Sequence, residues 1–321
     1  MNAQILKALL ENQGTYLSGE HLSGIAGVSR TSIWKHINQL RADGYVIESI
    51  PSKGYQLRPA PDALIREELL MMMEQSQMIR DIVVLKTVGS TNTYGKERGD
   101  AGLLVIAEEQ SQGKGRLGRT WFTPSGEGLW FSLVLQPDLD PLQAALITQI
   151  AAASVWQGVT EISGISAEIK WPNDILSGGK KLCGILTEMT AELGQIQKMV
   201  VGIGVNVHTS SFPENLTSVA TSIAMQTPAP VSRKNLLCAI LKHFEKYYSQ
   251  LIESGDIEDV ITICREHSAL LGKEIVILAG GRTETATALD ILPSGELLVR
   301  KADGKEVPIL SGEVSVRKTG N

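Results

Sequence analysis

A short loop that concentrates glycine and positive charge is the part of this sequence best suited to chemistry. Glycines let a backbone approach a ligand closely and expose its N–H groups, while Lys and Arg complement carboxylates and phosphates. The loop is therefore predicted to enclose an anion, although a flexible basic surface loop or a nucleic-acid contact would have the same composition. Between residues 113 and 119, three glycines separate three cations without an intervening acid: Gly113, Lys114, Gly115, Arg116, Gly118 and Arg119.

Three further segments place polar and cationic side chains at the ends of predicted strands. The segment KWPND at residues 170–174 follows a strand with a rigid proline turn that presents an amide and a carboxylate. Lys180 and Lys181 follow a Gly-Gly hairpin tip, and Asn206 ends the glycine-containing segment 202–206. Each segment alone is compatible with ordinary turn chemistry. Together with the cationic loop, they favour a binding site over a surface loop.

The rest of the sequence argues against several other kinds of site. It contains no Walker A motif and no G-x-G-x-x-G motif that opens a helix. Cys183, Cys238 and Cys264 form no C-x-x-C pair, so they are predicted to be reduced thiols rather than a disulfide framework or a zinc site, and no metal ligands are predicted. No apolar stretch of about 18 residues and no secretory leader pattern occur, which predicts a cytoplasmic protein without membrane contact.

The elements that must position these residues are short strands combined with long helices. A chain of 321 residues with 43% hydrophobic and 20% charged residues is predicted to fold into more than one domain. Helices are predicted at 63–75, 142–160 and 233–254, the last with apolar residues at helical spacing. Adjacent strands with few helices between them predict an α+β domain rather than a doubly wound sheet. The predicted strands are 82–88, 103–109, 128–136, 167–171, 181–189 and 199–207.

The first sixty residues differ from the remainder in charge. They contain six Lys and Arg against four acids, a balance of +2, whereas the whole chain carries −5. Ser18 and Ser29 are predicted to cap two helices around a turn at Gly27, and Gly44 to end the second helix. A hairpin with a four-residue turn is predicted around residues 51–54. This pattern is typical of a winged helix-turn-helix. The second helix carries an apolar stripe of Ile33, Ile37 and Leu40.

The face of this second helix opposite its apolar stripe is polar and cationic. Such side chains near a helix N-terminus bind phosphates and base edges. We therefore predict DNA binding, with a winged-helix domain used for protein contact as the alternative. The predicted DNA contacts are Ser29, Arg30, Thr31, Lys35 and His36, with Lys53 at the tip of the wing.

These motifs, in this order, resemble the biotin protein ligase family. The cationic loop is similar to GRGRxGR, residues 170–174 match KWPND, Lys181 matches the lysine of GxKxxGIL, and residues 202–206 match GxGxN. Residues 90–93 and Trp121 also fit the pattern, whereas Lys114 and Leu117 stand where the family often has arginine. The segments SRTSIWKHINQL and PSKGYQL resemble the winged-helix domain that precedes the enzyme in bifunctional bacterial members. The resemblance covers essentially the whole chain.

The resemblance implies a specific reaction in a class II synthetase-like catalytic domain with a mixed sheet. In this family a biotin carboxylate attacks the α-phosphate of ATP, and a carrier-protein lysine then takes the biotinyl group from biotinyl-5′-AMP. Because both reactants are anionic, the site must align them and neutralise charge, and no protein nucleophile is required. The implied cosubstrates are biotin and ATP, with Mg²⁺. The implied partners are the biotin carboxyl-carrier domain of acetyl-CoA carboxylase, operator DNA, and a second copy of the chain in a ligand-dependent homodimer.

The same resemblance implies roles for individual residues. Arg116 and Lys181 are the implied catalytic residues. The residues implied to bind biotin are Ser90, Thr91, Asn92, Gln110, Lys114, Gly115, Arg116, Trp121 and Lys181. The residues implied to bind the nucleotide are Arg116, Arg119, Asn173, Asp174 and Asn206.

The implied domain order is a winged helix at 1–60, a catalytic domain at 61–270 and an SH3-like β-barrel at 271–321. Pro59 and Pro61 predict an extended connector after the first domain. The last domain contains short segments in which apolar and polar residues alternate, separated by turns at Gly280-Gly281 and at two later positions. This pattern predicts a small antiparallel barrel. Two alternatives remain open for the whole chain: a ligand-sensing repressor without catalysis, and a lipoate ligase of the same fold.

Overall fold

The computed structural model of the protein describes residues 2–42, 45–58, 62–192, 195–279, 282–310 and 312–316. Gly44, Pro59, Pro61 and the turn Gly280-Gly281, which carried sequence predictions, lie outside these residues. The chain forms two compact units. Met1–Gln75 and Ser232–Lys234 make the first unit, and Ser76–Val231 and Asn235–Asn321 make the second. The first unit thus extends beyond residue 60, where the sequence predicts a boundary.

The first unit is a helix-turn-helix followed by a two-stranded wing. Ser18 caps α2 by accepting a hydrogen bond from the His21 amide at 3.0 Å, and Gly27 ends α2 at φ 65°. Ser29 accepts from the Ser32 amide at 3.3 Å at the start of α3. These caps confirm both predicted limits of the first of these helices and the predicted start of the second. The elements are α1 Asn2–Glu11, α2 Gly19–Ala26, α3 Arg30–Ala42, β1 Ile47–Ile50, β2 Gly54–Leu57 and α4 Arg66–Met72.

The wing differs from the prediction in the length of its turn. Gly54 pairs with Ile50 in the hairpin, so three residues form the turn rather than four. Gly54 has φ 107°, and a Cβ there would lie 2.0 Å from the carbonyl oxygen of Leu17. Leu17 and Tyr55 exchange two backbone hydrogen bonds of 2.8 Å, which attach the wing to the segment before α2. Glycine at position 54 is therefore required by this close approach.

The second unit is built on a seven-stranded mixed sheet in the order β3-β4-β5-β9-β8-β7-β6. Only the β3–β4 pair among these is parallel. This confirms the predicted α+β class. The strands are β3 Asp81–Val88, β4 Leu103–Gln110, β5 Gly128–Leu135, β6 Glu168–Lys170, β7 Asp174–Ser177, β8 Lys180–Glu192 and β9 Gln195–Asn206.

The described residues of this part of the chain form six α-helices, and four of them are not predicted from the sequence. The helix at Thr91–Arg98 reads TNTYGKER and begins at Ser90, whose side chain accepts from the Thr93 amide. The helix at Glu258–Glu266 was missed as well. The helices of this part of the chain are α5 Thr91–Arg98, α6 Ala144–Ser163, α7 Glu214–Thr217, α8 Ile223–Gln226, α9 Arg233–Ser254 and α10 Glu258–Glu266, of which α9 begins in the first unit.

The C-terminal strands form a separate antiparallel sheet in the order β13-β12-β11-β10-β14. Their existence and antiparallel pairing confirm the predicted alternation, while closure into an SH3-like barrel stays a prediction. No helix in the described parts of the chain has both the length and the apolar character needed to cross a membrane. The strands are β10 Glu274–Ala279, β11 Arg282–Ile291, β12 Leu297–Lys301, β13 Glu306–Ile309 and β14 Glu313–Val316.

Two cysteines are expected to resist alkylation while the protein is folded. Cys183 and Cys264 are fully buried, and burial raises the pKa of both thiols, that of Cys264 to about 12. Because thiolate is the reactive form, both burial and the raised pKa slow the reaction. Intact-mass measurement after timed exposure to iodoacetamide at about pH 8, below the usual thiol pKa of about 8.5, should show both thiols reacting only in urea. Rapid labelling of either thiol in the native protein would contradict this burial.

Candidate functional site

The cationic loop after β4 is folded back on itself. The Gly115 amide donates to the Arg119 carbonyl at 2.7 Å, and the Trp121 amide donates to the Gly113 carbonyl at 2.9 Å. A Cβ on Gly113 would lie 2.5 Å from the Trp121 carbonyl oxygen, so the closure requires glycine there. The loop is thus a closed turn rather than an extended surface segment.

Two cations of this loop reach side chains on other elements. Lys114 Nζ donates to Thr93 Oγ1 on α5 at 3.0 Å. Arg116 Nη1 donates to Asn173 Oδ1 at 3.0 Å, and Asn173 Nδ2 donates in turn to the Ile185 carbonyl at 2.8 Å. These contacts attach the loop to α5 and to Asn173. They favour a binding site over a flexible basic loop.

A small cavity of about 40 Å³ lies beneath the loop. The structure brings together every residue that the sequence analysis assigned to biotin, although the ligand of each residue stays a prediction. The cavity has room for only a few water molecules as it stands, so a larger ligand requires the loop or the Trp121 side chain to move. The predicted residues that line it are Ser90, Thr91, Asn92, Gln110, Lys114, Gly115, Arg116, Trp121 and Lys181.

The inner end of this cavity is lined by neutral polar side chains, which form a connected network that ends at the carboxylate of Glu188 outside the lining. Gln110 Oε1 accepts from the Thr91 amide at 2.8 Å and from Thr91 Oγ1 at 3.1 Å. Ser132 Oγ donates to Asn92 Oδ1 at 2.6 Å and lies 2.7 Å from Thr91 Oγ1, within hydrogen-bonding distance of that hydroxyl. Asn92 Nδ2 donates to Glu188 Oε2 at 2.9 Å. Such a network fixes side-chain orientation because each buried group is satisfied by another.

Ser132 and Glu188 are functional candidates that the sequence analysis missed. Ser132 is fully buried in β5, whose other residues after Gly128 are all apolar. A single hydroxyl in an otherwise apolar buried strand is a signal that was available, since buried polar groups need partners. Glu188 lies in the middle of β8, and only the fold shows that it faces Asn92.

Three glycines form the floor of the small cavity. Gly184 and Gly204 are paired across β8 and β9. A Cβ on Gly204 would lie 2.4 Å from Trp121 Nε1, and a Cβ on Gly202 would lie 2.1 Å from Asn92 Oδ1. These side chains therefore sit directly on the backbone of the strands. Among the described residues, the buried Nε1 of Trp121 has no hydrogen-bond partner, so it is a donor that a ligand can use.

Lys181 lies within β8, in agreement with the strand predicted at 181–189, and the hairpin tip lies before it. Gly178 and Gly179, at φ 57° and 72°, form the tip, and Ser177 pairs with Lys180. The Lys181 ammonium lies 2.7 Å from Asp174 Oδ1 and 5.1 Å from the centroid of a Trp121 ring. Its position in a strand fixes its backbone more firmly than a turn would.

A larger cavity of about 710 Å³ adjoins the small one and contains more cations. Arg116, Trp121 and Lys181 line both cavities. The residues predicted for the nucleotide all line it: Arg116, Arg119, Asn173, Asp174 and Asn206. The sequence analysis missed two cations and an aromatic pair in its lining, namely Lys170, Lys273, Phe122 and Phe212.

The predicted DNA-binding residues lie on the exposed side of the first unit. Ile33, Ile37 and Leu40 are buried, as predicted. Arg30 pairs with Glu20 at 2.7 Å, and the ammonium of Lys53 lies 5.9 Å from the ring centroid of Tyr16. The predicted contacts Ser29, Arg30, Thr31, Lys35 and Lys53 are exposed and His36 is half-buried. Trp34, which the sequence analysis missed, is 57% exposed on this helix.

Three family models match successive parts of the chain. The HTH domain matches residues 2–56, the biotin/lipoate A/B protein ligase family matches 84–206, and the biotin protein ligase C-terminal domain matches 270–317. The three matched segments follow the order of the winged helix, the mixed sheet and the C-terminal sheet.

Similar proteins cover nearly the whole chain. It is 34% identical over 295 residues to the bifunctional ligase/repressor BirA of Bacillus spizizenii, covering 90% of each. It is 29% identical to BirA of Escherichia coli, covering 97% of this chain and 96% of that one. The structure of biotin protein ligase from Aquifex aeolicus in complex with biotin and ATP is 30% identical, with a TM-score of 0.66, covering 75% of this chain and 100% of that one. The chain described here therefore belongs to the family of bifunctional ligase/repressor proteins represented by BirA.

Proposed function

We propose that this protein activates biotin with ATP and transfers the biotinyl group to a lysine of a carrier protein. The observation that carries the proposal is the adjoining pair of cavities, one with a neutral polar inner end and the other lined by cations. The first suits an uncharged head group and the second suits a polyphosphate. Lys181 and Arg116 line both cavities, where a carboxylate and an α-phosphate would meet.

The chemistry follows from this arrangement. A carboxylate oxygen attacks the α-phosphorus, an O–P bond forms, and the bond to pyrophosphate breaks. Lys181 and Arg116 neutralise charge on the carboxylate and phosphoryl oxygens, and Asn173 holds the Arg116 guanidinium in place through its 3.0 Å hydrogen bond. The neutral network around Gln110 and Asn92 orients the head group, and the free N–H of Trp121 offers a further donor. No protein nucleophile is needed because the substrate supplies the carboxylate.

We propose that Mg²⁺ enters this site with the nucleotide rather than in a cage of protein ligands. Mg²⁺ is usually bound through one or two carboxylates together with substrate phosphates. Asp174 and Glu168 are the carboxylates in the lining of the large cavity. The described residues contain no cluster of three or more His, Cys, Asp or Glu side chains that would hold a metal on its own.

The substrate class is tested by a direct comparison of two acids. We expect the protein, ATP and Mg²⁺ to modify a biotin carboxyl-carrier domain of acetyl-CoA carboxylase with biotin and not with lipoate, as measured by the mass of the carrier. Modification with lipoate alone would favour the lipoate ligase alternative. Tight biotin binding without pyrophosphate release would favour a non-catalytic sensor.

We also propose that the first unit binds operator DNA as a homodimer when biotinyl-5′-AMP is bound. The basic face of α3 and the similarity to proteins named ligase/repressor support this role. A symmetric dimer reads two half-sites, so the operator is expected to be a palindrome.

Replacing Lys35 by alanine is expected to weaken DNA binding in a salt-dependent way. A lysine that contacts phosphate contributes about one unit to the slope of log K against log salt concentration. Titrations of duplex DNA with the full chain, biotin and ATP should therefore show a slope lower by about one. Lys7→Ala removes the same charge from an exposed position on α1 and is the matched control. Equal salt slopes in the two variants would exclude Lys35 from the interface.

A further inference from the structure

A third cavity shares part of its lining with each of the two described above. It has a volume of about 310 Å³. Arg116 and Asn173 line this cavity as well as the small and the large one. The 3.0 Å hydrogen bond between their side chains therefore stands where three separate spaces converge.

The third cavity has walls from three elements. Ala145, Thr148 and Gln149 come from the first turns of α6, Thr187 comes from β8, and Leu310 follows β13. Of these five, none lines the small or the large cavity. The third cavity therefore has walls of its own and adjoins the other two through the residues that it shares with them.

The polar groups of this cavity include three side-chain oxygens that can accept hydrogen bonds, from Thr148, Gln149 and Thr187. Thr148 Oγ1 and Thr187 Oγ1 lie 3.0 Å apart and share a hydrogen bond. Gln149 is 1% exposed, and its Nε2 donates to the Pro172 carbonyl at 3.2 Å. Its Oε1 is buried and accepts no hydrogen bond from any described residue. A buried acceptor without a donor is unfavourable, so a ligand that donates N–H is favoured there.

The charge of the lining favours one protonation state of an amine that binds there. The described lining contains no carboxylate, and its one cation is Arg116. A nearby positive charge and partial burial both disfavour an ammonium ion relative to the neutral amine. The cavity therefore suits an amine that arrives as a nucleophile rather than one held as a cation in an ion pair.

We infer that the third cavity admits the side chain of the acceptor lysine. This inference rests on the proposed function, in which biotin, nucleotide and a lysine must meet at one point. The small cavity suits the biotin head, and the large cavity suits the polyphosphate. The third cavity reaches the same junction at Arg116 from the side of α6, and its uncharged acceptors match a neutral amine.

The transfer step balances without any further reactant. The neutral ε-amine attacks the acyl carbon of biotinyl-5′-AMP, and a C–N bond forms while the bond from the acyl carbon to the phosphate oxygen breaks. AMP leaves with the electron pair of that bond, and the amine proton passes to water. The oxygens of Gln149 and the threonine pair orient the amine through its N–H groups.

The inference is tested by filling the cavity while sparing the first reaction. Ala145→Phe places a ring in the third cavity, and Ala144→Phe makes the same change at a neighbouring position that lines none of the three cavities. Biotin-dependent ATP–pyrophosphate exchange measures activation. Transfer is then measured to a biotin carboxyl-carrier domain and, separately, to hydroxylamine, which needs no side-chain channel.

Ala145→Phe is expected to lower kcat/KM for the carrier about 100-fold, because a displaced nucleophile loses its alignment. Exchange and transfer to hydroxylamine should match those of Ala144→Phe. Thr148→Val, which keeps the side-chain shape, should lower transfer to the carrier about 2- to 10-fold with exchange unchanged.

Three results would overturn the inference. Wild-type transfer by Ala145→Phe to the carrier would show that lysine enters elsewhere. Equal losses of exchange and of both transfers would assign the cavity to activation. Absence of biotin-dependent exchange in the unaltered protein would remove the proposed function itself, and this result is distinguishable because it appears before any substitution is made.

Discussion

Replacing Lys181 by alanine is expected to lower biotin-dependent ATP–pyrophosphate exchange by about 100- to 1000-fold. The ammonium of Lys181 lies beside Asp174 and over Trp121, where the small and the large cavity meet. In the proposed mechanism it neutralises charge that develops on the phosphoryl oxygens, which the methyl group of alanine cannot do. The exchange assay isolates this step because it requires no carrier protein.

Lys180→Ala is the matched control for this substitution. The two lysines are neighbours in β8, but Lys180 Nζ donates to the Thr217 carbonyl at 2.9 Å instead of reaching Asp174. Its loss should leave exchange within about twofold, the range expected for a surface substitution. If Lys181→Ala retained wild-type exchange, Lys181 would have no part in the mechanism. A similar loss in both variants would point to the hairpin as a whole.

The sequence predicts the winged helix well because local signals determine it. Ser18 and Ser29 act as caps, Gly27 adopts positive φ, and the stripe of Ile33 and Ile37 is buried as its spacing requires. Capping and periodicity are properties of adjacent residues, so they can be recognised without knowledge of the fold. The wing turn is one residue shorter than predicted because Gly54 is needed against Leu17, which is a tertiary contact.

Two of the elements that the sequence analysis missed lack such local signals. The strand at Asp174–Ser177 follows a proline turn and is only four residues long. The helix Thr91–Arg98 has no apolar stripe, and what secures it is burial of Thr91 and Asn92 against β5 and β8. In both cases the structure is set by partners distant in the chain, which a pattern of neighbouring residues does not contain.

In the candidate site, too, the sequence predicts which residues take part but not how they contact one another. Residue types such as Lys181, Arg116 and Asn173 stand out in the sequence, and resemblance to a family assigns them to a site. The sequence does not show that Asn173 holds Arg116 or that both residues line three cavities. Both features depend on how the loop folds back on the sheet. The network around Ser132 is likewise visible only when β5 is placed beside α5.

Replacing Gly202 by alanine is expected to raise the KM for biotin about 10- to 100-fold. The added Cβ would lie 2.1 Å from Asn92 Oδ1, and Asn92 is held by hydrogen bonds from Ser132 and to Glu188. The amide must therefore move and leave buried groups unsatisfied. The loss of about 1–3 kcal/mol per unsatisfied group corresponds to this range, since 1.4 kcal/mol is tenfold. Activity with saturating biotin should fall less, because the change affects binding of the head group more than the reacting atoms.

Gly89→Ala provides the matched comparison, since Gly89 precedes Ser90 and an added Cβ there would meet no atom within 4 Å. It should leave the KM for biotin unchanged. Steady-state exchange at varied biotin, with the thermal unfolding midpoint of each variant, separates a local defect from a general loss of stability. An unaltered KM in a stably folded Gly202→Ala protein would mean that Asn92 does not help to bind biotin. The head group would then have to be recognised at the Gln110 side of the cavity, where Thr91 and the N–H of Trp121 are the remaining polar groups.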